Sequence, residues 1–266
     1  MGKESNDFFV LRVIPLLSVA VFFVGWQLLV DLHIIPNVFL ASPTEVIRLL
    51  VFKLTHAEPD GGVLLTHTLV SVQEALYGYL LGLFVGIPLG LLMGWFVVAE
   101  GLARPLFEMI RPIPPVAWIP LTIFWFGIGL AGKVFIIWAC AVVPCVINSY
   151  TGVRMTSPTL IQMARTYGAS DWQIFRYICV PSALPMVFGG LQIALAMAWT
   201  TLVAAELIAA DAGLGFLITM GRRLLRPDMI VLGMLMVGLT GLAIGLLIDW
   251  IERRLSAGFE RGGVSS

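Results

Sequence analysis

The sequence contains few charged residues, and the side chains that catalysis requires are sparse. Only 12% of the 266 residues are charged, against roughly 25% in an ordinary soluble domain. The 16 basic and 16 acidic residues cancel, so net charge gives no argument for binding nucleic acid or an acidic substrate. No nucleophile and base occur together in a pattern typical of catalysis, and no metal-binding motif is found. We therefore expect neither an enzyme nor a metal protein.

Cysteine and histidine are equally scarce, with three of each. The cysteines lack metal-ligand spacing and two lie in an apolar run, so we expect packing residues rather than a disulfide framework. The histidines are isolated, and for each a surface or packing role is expected. The residues concerned are Cys140, Cys145, Cys179, His33, His56 and His67.

Long charge-free runs dominate the chain instead. A helix needs roughly 20 apolar residues to cross the hydrocarbon core, and lipid offers no partner for an unpaired backbone group, so such runs must be helical. The sequence therefore predicts an all-α integral membrane protein with about six transmembrane helices. The six windows are residues 13–30, 75–99, 112–132, 134–153, 177–205 and 229–248.

The first window follows Lys3 and Arg12, as a secretory signal would. However, it is longer than a signal core of about 7–15 residues, and no small-x-small cleavage site follows Val30. We expect an uncleaved first span. Residues 1–63 would then be a transmembrane helix and an outer loop, in which Pro43-Thr44-Glu45 begins a short interfacial helix. Residues 64–250 form the main membrane domain, and residues 251–266 a cytoplasmic tail.

The distribution of basic residues favours cytoplasmic termini. With the N-terminus inside and six spans, ten basic residues lie inside and six outside, as the positive-inside rule requires. The outer cluster Arg222, Arg223 and Arg226 counts against this orientation.

Two windows have unusual backbones. The second has a glycine every four residues, which predicts close packing against a neighbouring helix; these are Gly78, Gly82, Gly86, Gly90 and Gly94. The third contains four prolines and cannot be one regular helix. Broken backbone at membrane depth is tolerated inside a bundle or beside a watery path, whereas a proline kink at the membrane edge is the alternative. The candidate path residues here are Pro114, Pro115, Trp118 and Pro120.

Residues 154–179 between the fourth and fifth spans are polar and too long for a tight turn. Thr159 with Gln162 and Ser170 with Gln173 both fit a capping box, which predicts two short helices. Gly168 lies between them, where a left-handed residue ends a helix. We expect a helix-Gly-helix elbow in the cytoplasm.

This segment resembles the permeases of ABC importers, whose loop has the pattern Glu-Ala-Ala, three residues, Gly, nine residues, Ile-x-Leu-Pro. The chain has Gln162-Met163-Ala164, Gly168 and Ile178-Cys179-Val180-Pro181 at the same spacing. The resemblance covers about residues 64–250 and is strongest to the nitrate, sulfonate, taurine and bicarbonate subgroup. Further matching stretches are Arg111 to Pro120, Trp125-Phe126-Gly127-Ile128-Gly129, Ala204-Ala205-Glu206 and Gly213-Leu214-Gly215.

The resemblance implies a type I ABC importer permease fold with residues 154–181 as the coupling loop. The partners would be a second permease copy, two ATPase subunits and an extracytoplasmic solute-binding protein, in a bacterial inner membrane. The chain itself would hold no cofactor, because ATP and magnesium bind the ATPase. A small anion such as a sulfonate, taurine or nitrate is the implied solute. The coupling residues would be Gln162, Ala164, Arg165, Gly168, Ala169, Asp171, Ile178 and Pro181.

In the coupling role, Ala164 and Gly168 would leave room for close contact. Three aromatic residues of the elbow could anchor it on the partner, namely Tyr167, Trp172 and Phe175.

Three features leave alternatives. Residues 127–133 match seven positions of a phosphate-binding loop, but Val134 replaces the Ser or Thr that would reach magnesium, so we do not expect ATP binding there. Glu206 and Glu74 lie in apolar runs; each is either a gate or solute contact, or a hydrogen-bonding group between helices. An ion-coupled secondary transporter is the alternative function. It fits less well because only one proline-rich segment is present, not a pair. An intramembrane enzyme would need the reactive cluster that the sequence lacks.

Overall fold

A computed structural model describes residues 2–260, and the side chains of residues 14–250 and Arg254. Over residues 2–260 the structure is helical and has no strand. The helices are α1 (Gly2–Asp31), α2 (Pro43–Lys53), α3 (Leu64–Trp95), α4 (Val97–Ile110), α5 (Ile119–Phe126), α6 (Leu130–Arg154), α7 (Pro158–Thr166), α8 (Asp171–Ile174), α9 (Val180–Ile208), α10 (Leu214–Arg223) and α11 (Pro227–Glu260).

Five stretches in the described residues are long and apolar enough to cross a membrane, and a bent helix pair brings the number to as many as six. The prediction of about six spans is confirmed. The first stretch belongs to α1, which packs only weakly on the rest and touches mainly α2. Helix α2 is the short helix expected in the outer loop, and its N-terminus is closed by a capping box between Ser42 and Glu45.

The third window does not form the single span predicted over residues 112–132. Helices α4 and α5 meet at an angle of 83°, and a 3₁₀ turn over Pro115–Trp118 precedes α5. The break follows from the prolines, since proline lacks the amide hydrogen that an α-helix needs and crowds the preceding turn. The second window was predicted to run to residue 99, but α3 ends at Trp95, because Phe96 is extended (φ −93°, ψ 115°), and the separate helix α4 begins at Val97.

The core of the bundle consists of α3, α6 and α9, with α6 in contact with both of the others. The glycine repeat of α3 faces α6 over its whole length. A Cβ added at Gly82 would lie 2.6 Å from the Cβ of Ala141, and one at Gly94 would lie 2.7 Å from the Cβ of Val153. The prediction of close helix packing is confirmed, because only glycine leaves room for the α6 backbone at this distance.

Two large hydrophobic clusters fill the bundle, and a small third one consists of Ile119, Ile136 and Ala205. The larger of the two joins α2, α3, α6, α9, α10 and α11 in the middle of the bundle and toward its end away from the elbow. The smaller cluster lies at the other end, where the elbow meets α3, α6 and the start of α9; its buried members are Val153, Ile174, Phe175, Cys179, Ala183 and Val187. All three cysteines are buried and unpaired, as predicted. Helix α11 continues past residue 250 to Glu260, so the expected tail boundary falls inside a helix, and residues 261–266 lie outside the described residues.

Candidate functional site

The elbow between α6 and α9 has the predicted shape. Helix α7 ends at Thr166, and Gly168, two residues further on, has a φ of +81°. The Gly168 amide donates to the carbonyl oxygen of Arg165 (2.9 Å), and the Ala169 amide donates to that of Ala164 (3.0 Å). These two bonds form a Schellman motif, and glycine suits its left-handed position because it has no Cβ. A Cβ at Gly168 would meet no atom within 4 Å, so the tip of the elbow is open.

One of the two predicted capping boxes is correct. The Ser170 hydroxyl accepts from the Gln173 amide (3.3 Å), and the Gln173 side chain accepts from the Ser170 amide (2.8 Å). The Thr159–Gln162 box is wrong, since α7 begins at Pro158 after Ser157 and has no side-chain cap. Proline suits the first helical position, where no amide hydrogen is needed. Thr159 consequently lies inside the helix.

The residues predicted to contact an ATPase divide into two groups. The exposed group is Gln162, Arg165, Gly168, Asp171 and Pro181, and the half-buried group is Ala164, Ala169 and Ile178. Arg165 and Asp171 form an exposed ion pair at 3.2 Å, which links α7 to α8. Such a pair contributes about 0–1 kcal/mol, so packing rather than charge holds the elbow together.

The aromatic residues of the elbow do not all face outward as expected. Tyr167 is 87% exposed and Trp172 is 55% exposed, which suits partner contact. Phe175, which begins the π-helix Phe175–Cys179 directly after α8, is only 6% exposed, because it packs in the smaller hydrophobic cluster. Its ring lies 5.3 Å from the ring of Phe96 and 5.4 Å from that of Trp172. Phe96 was not predicted from the sequence, where its only signal is an aromatic residue directly after the last glycine turn of α3.

The bent pair carries the candidate path residues. Pro115 begins the 3₁₀ turn, Pro120 lies in the first turn of α5, and Trp118 joins the two elements. The Trp118 ring lies 6.4 Å from Phe135 of α6 in an edge-to-face arrangement. Pro114 and Pro120 are exposed, and Pro115 and Trp118 are half-buried. In one chain the segment thus lies along the surface of α6 rather than inside the bundle, and its path role stays a prediction.

Glu206 lies at a junction of α3, α9 and α10. It is 1% exposed and accepts from the Ser71 hydroxyl at 2.6 Å and from the Gly215 amide at 2.7 Å. The Leu214 amide donates to Ser71 (2.8 Å), and the Gly213 amide donates to His67 Nδ1 (3.1 Å).

We call this set, His67, Ser71 and Glu206, the outer clasp, where outer means the end of the bundle away from the elbow. It caps the first amides of α10, which has no side-chain cap of its own because Gly213 precedes it. The structure thus shows Glu206 hydrogen bonding between helices, and its role as a gate stays a prediction. His67 and Ser71 were missed as partners, although their spacing of four residues places them on one face of α3.

Two buried ion pairs flank the outer clasp. Lys133 pairs with Glu74, and the two side chains are 4% and 5% exposed. The lysine that completed the apparent phosphate-binding loop is therefore engaged by α3, and the loop forms the turn between α5 and α6 instead. Asp60 pairs with Lys53 and contacts His67 Nε2 at 2.9 Å. Burial by itself raises the pKa of Asp60. The hydrogen bonds from His67 and Lys53 and the charge of Lys53 together lower it by more, so the pKa of Asp60 lies below its ordinary value.

These elements define a polytopic membrane protein with a helix-Gly-helix elbow between α6 and α9 and a broken helix beside the core. A family model for the inner membrane component of binding-protein-dependent transport systems matches residues 63–261. The chain belongs to this family, which consists of transport components. The recognition of an ABC importer permease is confirmed, and neither a secondary transporter nor an enzyme is favoured.

Curated relatives agree with this family over nearly the whole chain. The taurine transport permease TauC of Escherichia coli is 33% identical over 90% of this chain and 87% of its own length. A second protein of the same organism carries the name of an aliphatic sulfonates transport permease, SsuC. It is 34% identical over 91% of this chain and 90% of its own length.

A solved structure confirms the fold. One chain of the inward-facing MetNI methionine ABC transporter superposes with a TM-score of 0.52, covering 70% of this chain and 95% of that one. At 21% sequence identity the likeness concerns fold alone. The predicted type I ABC importer permease fold is confirmed.

Proposed function

We propose that this chain forms the solute path of an ABC importer for a small anion and is driven by a separate ATPase. Two copies form a homodimer, two ATPase subunits bind on the cytoplasmic side, and a solute-binding protein delivers the solute from outside. The observation that carries the proposal is the elbow, whose open Gly168 tip and exposed Tyr167 and Trp172 form a contact surface anchored in the core.

The elbow suits the transmission of force from an ATPase. Its outer face offers the large aromatic anchors typical of interface centres, and Arg165 with Asp171 supplies polar edges. Its inner face is part of a hydrophobic cluster with α3, α6 and α9. A push on the outer face therefore reaches three core helices, since packed interiors are stiff. ATP and magnesium would bind to the partner.

The path is proposed to lie between two copies of the chain. Helix α4 has no buried residue, and Val97, Met109 and Phe124 of the bent pair are 81%, 74% and 85% exposed. A second copy would cover this face and place Pro114, Pro115, Trp118 and Pro120 near the path. Glu206 would hold the outer end of the core in register as the path opens. Alternate closure of the two ends is then a rigid-body movement of packed helices.

The solute class rests on the relatives. TauC and SsuC carry names for taurine and for aliphatic sulfonates, and sulfonate, taurine and nitrate share a small, hard anionic group. We propose such an anion as the solute. The termini and the elbow would be cytoplasmic, since ten of the 16 basic residues then lie inside.

Purification of the tagged chain from its native membrane in mild detergent tests the proposal. Mass spectrometry should find an ATPase with nucleotide-binding motifs and a solute-binding protein, and the ligand retained by that protein should be a small anion. A chain that purifies alone and transports in vesicles without ATP would contradict the proposal.

A further inference from the structure

Helix α4 is weakly held by the rest of the molecule. It has no buried side chain, although it leads directly into the broken segment that carries the candidate path residues. Its side-chain hydrogen bonds to α6 are made by Glu100, which accepts from the Tyr150 hydroxyl at 2.7 Å and pairs with Arg154. Both contacts lie within the first turn of α4. The start of α4 is therefore fixed by side-chain bonds, whereas most of the remaining residues of the helix are exposed, and only Ala103 and Phe107 among them are half-buried.

The residue directly before α4 connects it to the elbow. Phe96 is the extended residue between α3 and α4, and its ring stacks on Trp172 of α8 with centroids 6.3 Å apart and an interplanar angle of 26°. The same ring lies 5.3 Å from Phe175. Three aromatic rings thus run from the exposed face of the elbow to the junction at which the path segment begins.

We infer that Phe96 is the joint through which movement of the elbow turns α4 and, with it, α5. This inference rests on the proposed function. When the elbow shifts, Trp172 and Phe175 displace Phe96, and Glu100, four residues further on, keeps the first turn of α4 against α6. Helix α4 then swings about this turn while α3, α6 and α9 move as one block, because the glycine repeat locks α3 to α6. Phe96 is a positioning residue that touches neither nucleotide nor solute.

Two features make Phe96 suitable for this task. Its backbone is extended and lies between the end of α3 and the start of α4. A change of φ or ψ at Phe96 therefore redirects α4 without breaking a hydrogen bond within either helix. Aromatic side chains have only two side-chain torsions and pack as rigid plates, so they transmit displacement with little loss. The Trp172 ring is half exposed, so it can contact a partner and Phe96 simultaneously.

The test uses the complete complex of this chain with its ATPase and binding protein in proteoliposomes. The measured quantity is the amount of solute imported per ATP hydrolysed. Phe96→Ala should leave assembly and ATP hydrolysis in place and lower this ratio about tenfold, within the range that residues along a coupling route contribute. Phe96→Tyr, which keeps the ring, should restore the ratio. Phe84→Ala serves as the matched control, because Phe84 is an 80% exposed aromatic residue on α3.

The inference would be overturned if Phe96→Ala imported within about twofold as much solute per ATP as wild type. It would also be overturned if hydrolysis and import fell in parallel, since the loss of a purely structural contact lowers hydrolysis and import together. If Phe96→Ala fails to assemble, Phe96→Leu is measured by the same ratio and judged by the same limits. The wild-type complex separates the two ideas. If it recruits no ATPase, the proposed function fails, whereas ATP-driven import with an unchanged Phe96→Ala ratio contradicts only the joint.

Discussion

Glu206 Oε2 accepts a hydrogen bond of 2.7 Å from the backbone amide of Gly215, and the two residues belong to helices that meet at the end of the bundle away from the elbow. A Cβ at Gly213 would overlap the same carboxylate, and Gly213 has φ +120°, so glycine is required there on both steric and conformational grounds. The side chain thus stabilises the start of α10, whose first amides have no partner within the helix.

Replacing Glu206 by alanine should destabilise the protein by about 1–3 kcal/mol, because the Gly215 amide would be buried without a partner. The measurement is the thermal midpoint of the detergent-solubilised chain, which is the temperature after which half of the chain is still recovered as a monodisperse peak in size-exclusion chromatography. Glu108→Ala is the control, since Glu108 is 47% exposed and lies 3.5 Å from Arg111, and its loss should change the midpoint little. Equal shifts in the two variants would show that the outer clasp contributes no special stability.

Gly82→Leu should destabilise the helix core by about 1–3 kcal/mol through overpacking. The reason is steric, because the first added atom already lies 2.6 Å from the Cβ of Ala141. Gly245→Leu on α11 is the matched control, since a Cβ there meets no atom within 4 Å. The same thermal midpoint, from the recovery of monodisperse chain after heating, is measured for both variants. If both variants are as stable as wild type, α3 and α6 are not locked by the glycine repeat.

The ion pair of Asp60 should make stability pH-dependent in the acid range. The pKa of Asp60 lies below its ordinary value of 3.8 in the folded protein. A lowered carboxyl pKa means that its contribution is complete above the unfolded-state pKa and is lost as the pH falls through the folded-state pKa. The difference in thermal midpoint between wild type and Asp60→Asn should therefore shrink as the pH falls below about 4.

Glu58→Gln is the control for the Asp60 prediction, because it removes an exposed acidic charge from the same loop. Its midpoint should follow that of wild type at every pH. If the difference in thermal midpoint between wild type and Asp60→Asn grows as the pH falls, the assignment of the ion pair is contradicted.

Gly168→Asp should uncouple import while leaving membrane insertion intact. Its left-handed backbone (φ +81°) costs an L-residue about 1–2 kcal/mol, and the added carboxylate would stand on the open tip of the elbow. Gly61→Asp is matched closely, since Gly61 has φ +86° and equally open surroundings but lies in the loop before α3. Solute uptake is measured in cells with equal amounts of each variant. Full uptake by Gly168→Asp would contradict the coupling role.

Local patterns predicted those parts of the fold that depend on neighbours in sequence. The Gly168 elbow, the Ser170–Gln173 capping box and the proline break each follow from a few adjacent residues. The contacts of Glu206 could not be predicted in this way, because Ser71 lies 135 residues away and nothing local marks it as a partner. Phe96 was missed for the same reason, since its partners Trp172 and Phe175 become neighbours only when the elbow folds back on α3.

Uptake by the purified complex in proteoliposomes tests the central claim most directly. The vesicles contain this chain and its ATPase, and the binding protein is added outside with a labelled sulfonate. Import should require ATP inside the vesicles and should stop when the catalytic residue of the ATPase is replaced. Equal import by this chain alone, without ATP and following an ion gradient, would contradict the account and indicate a secondary transporter.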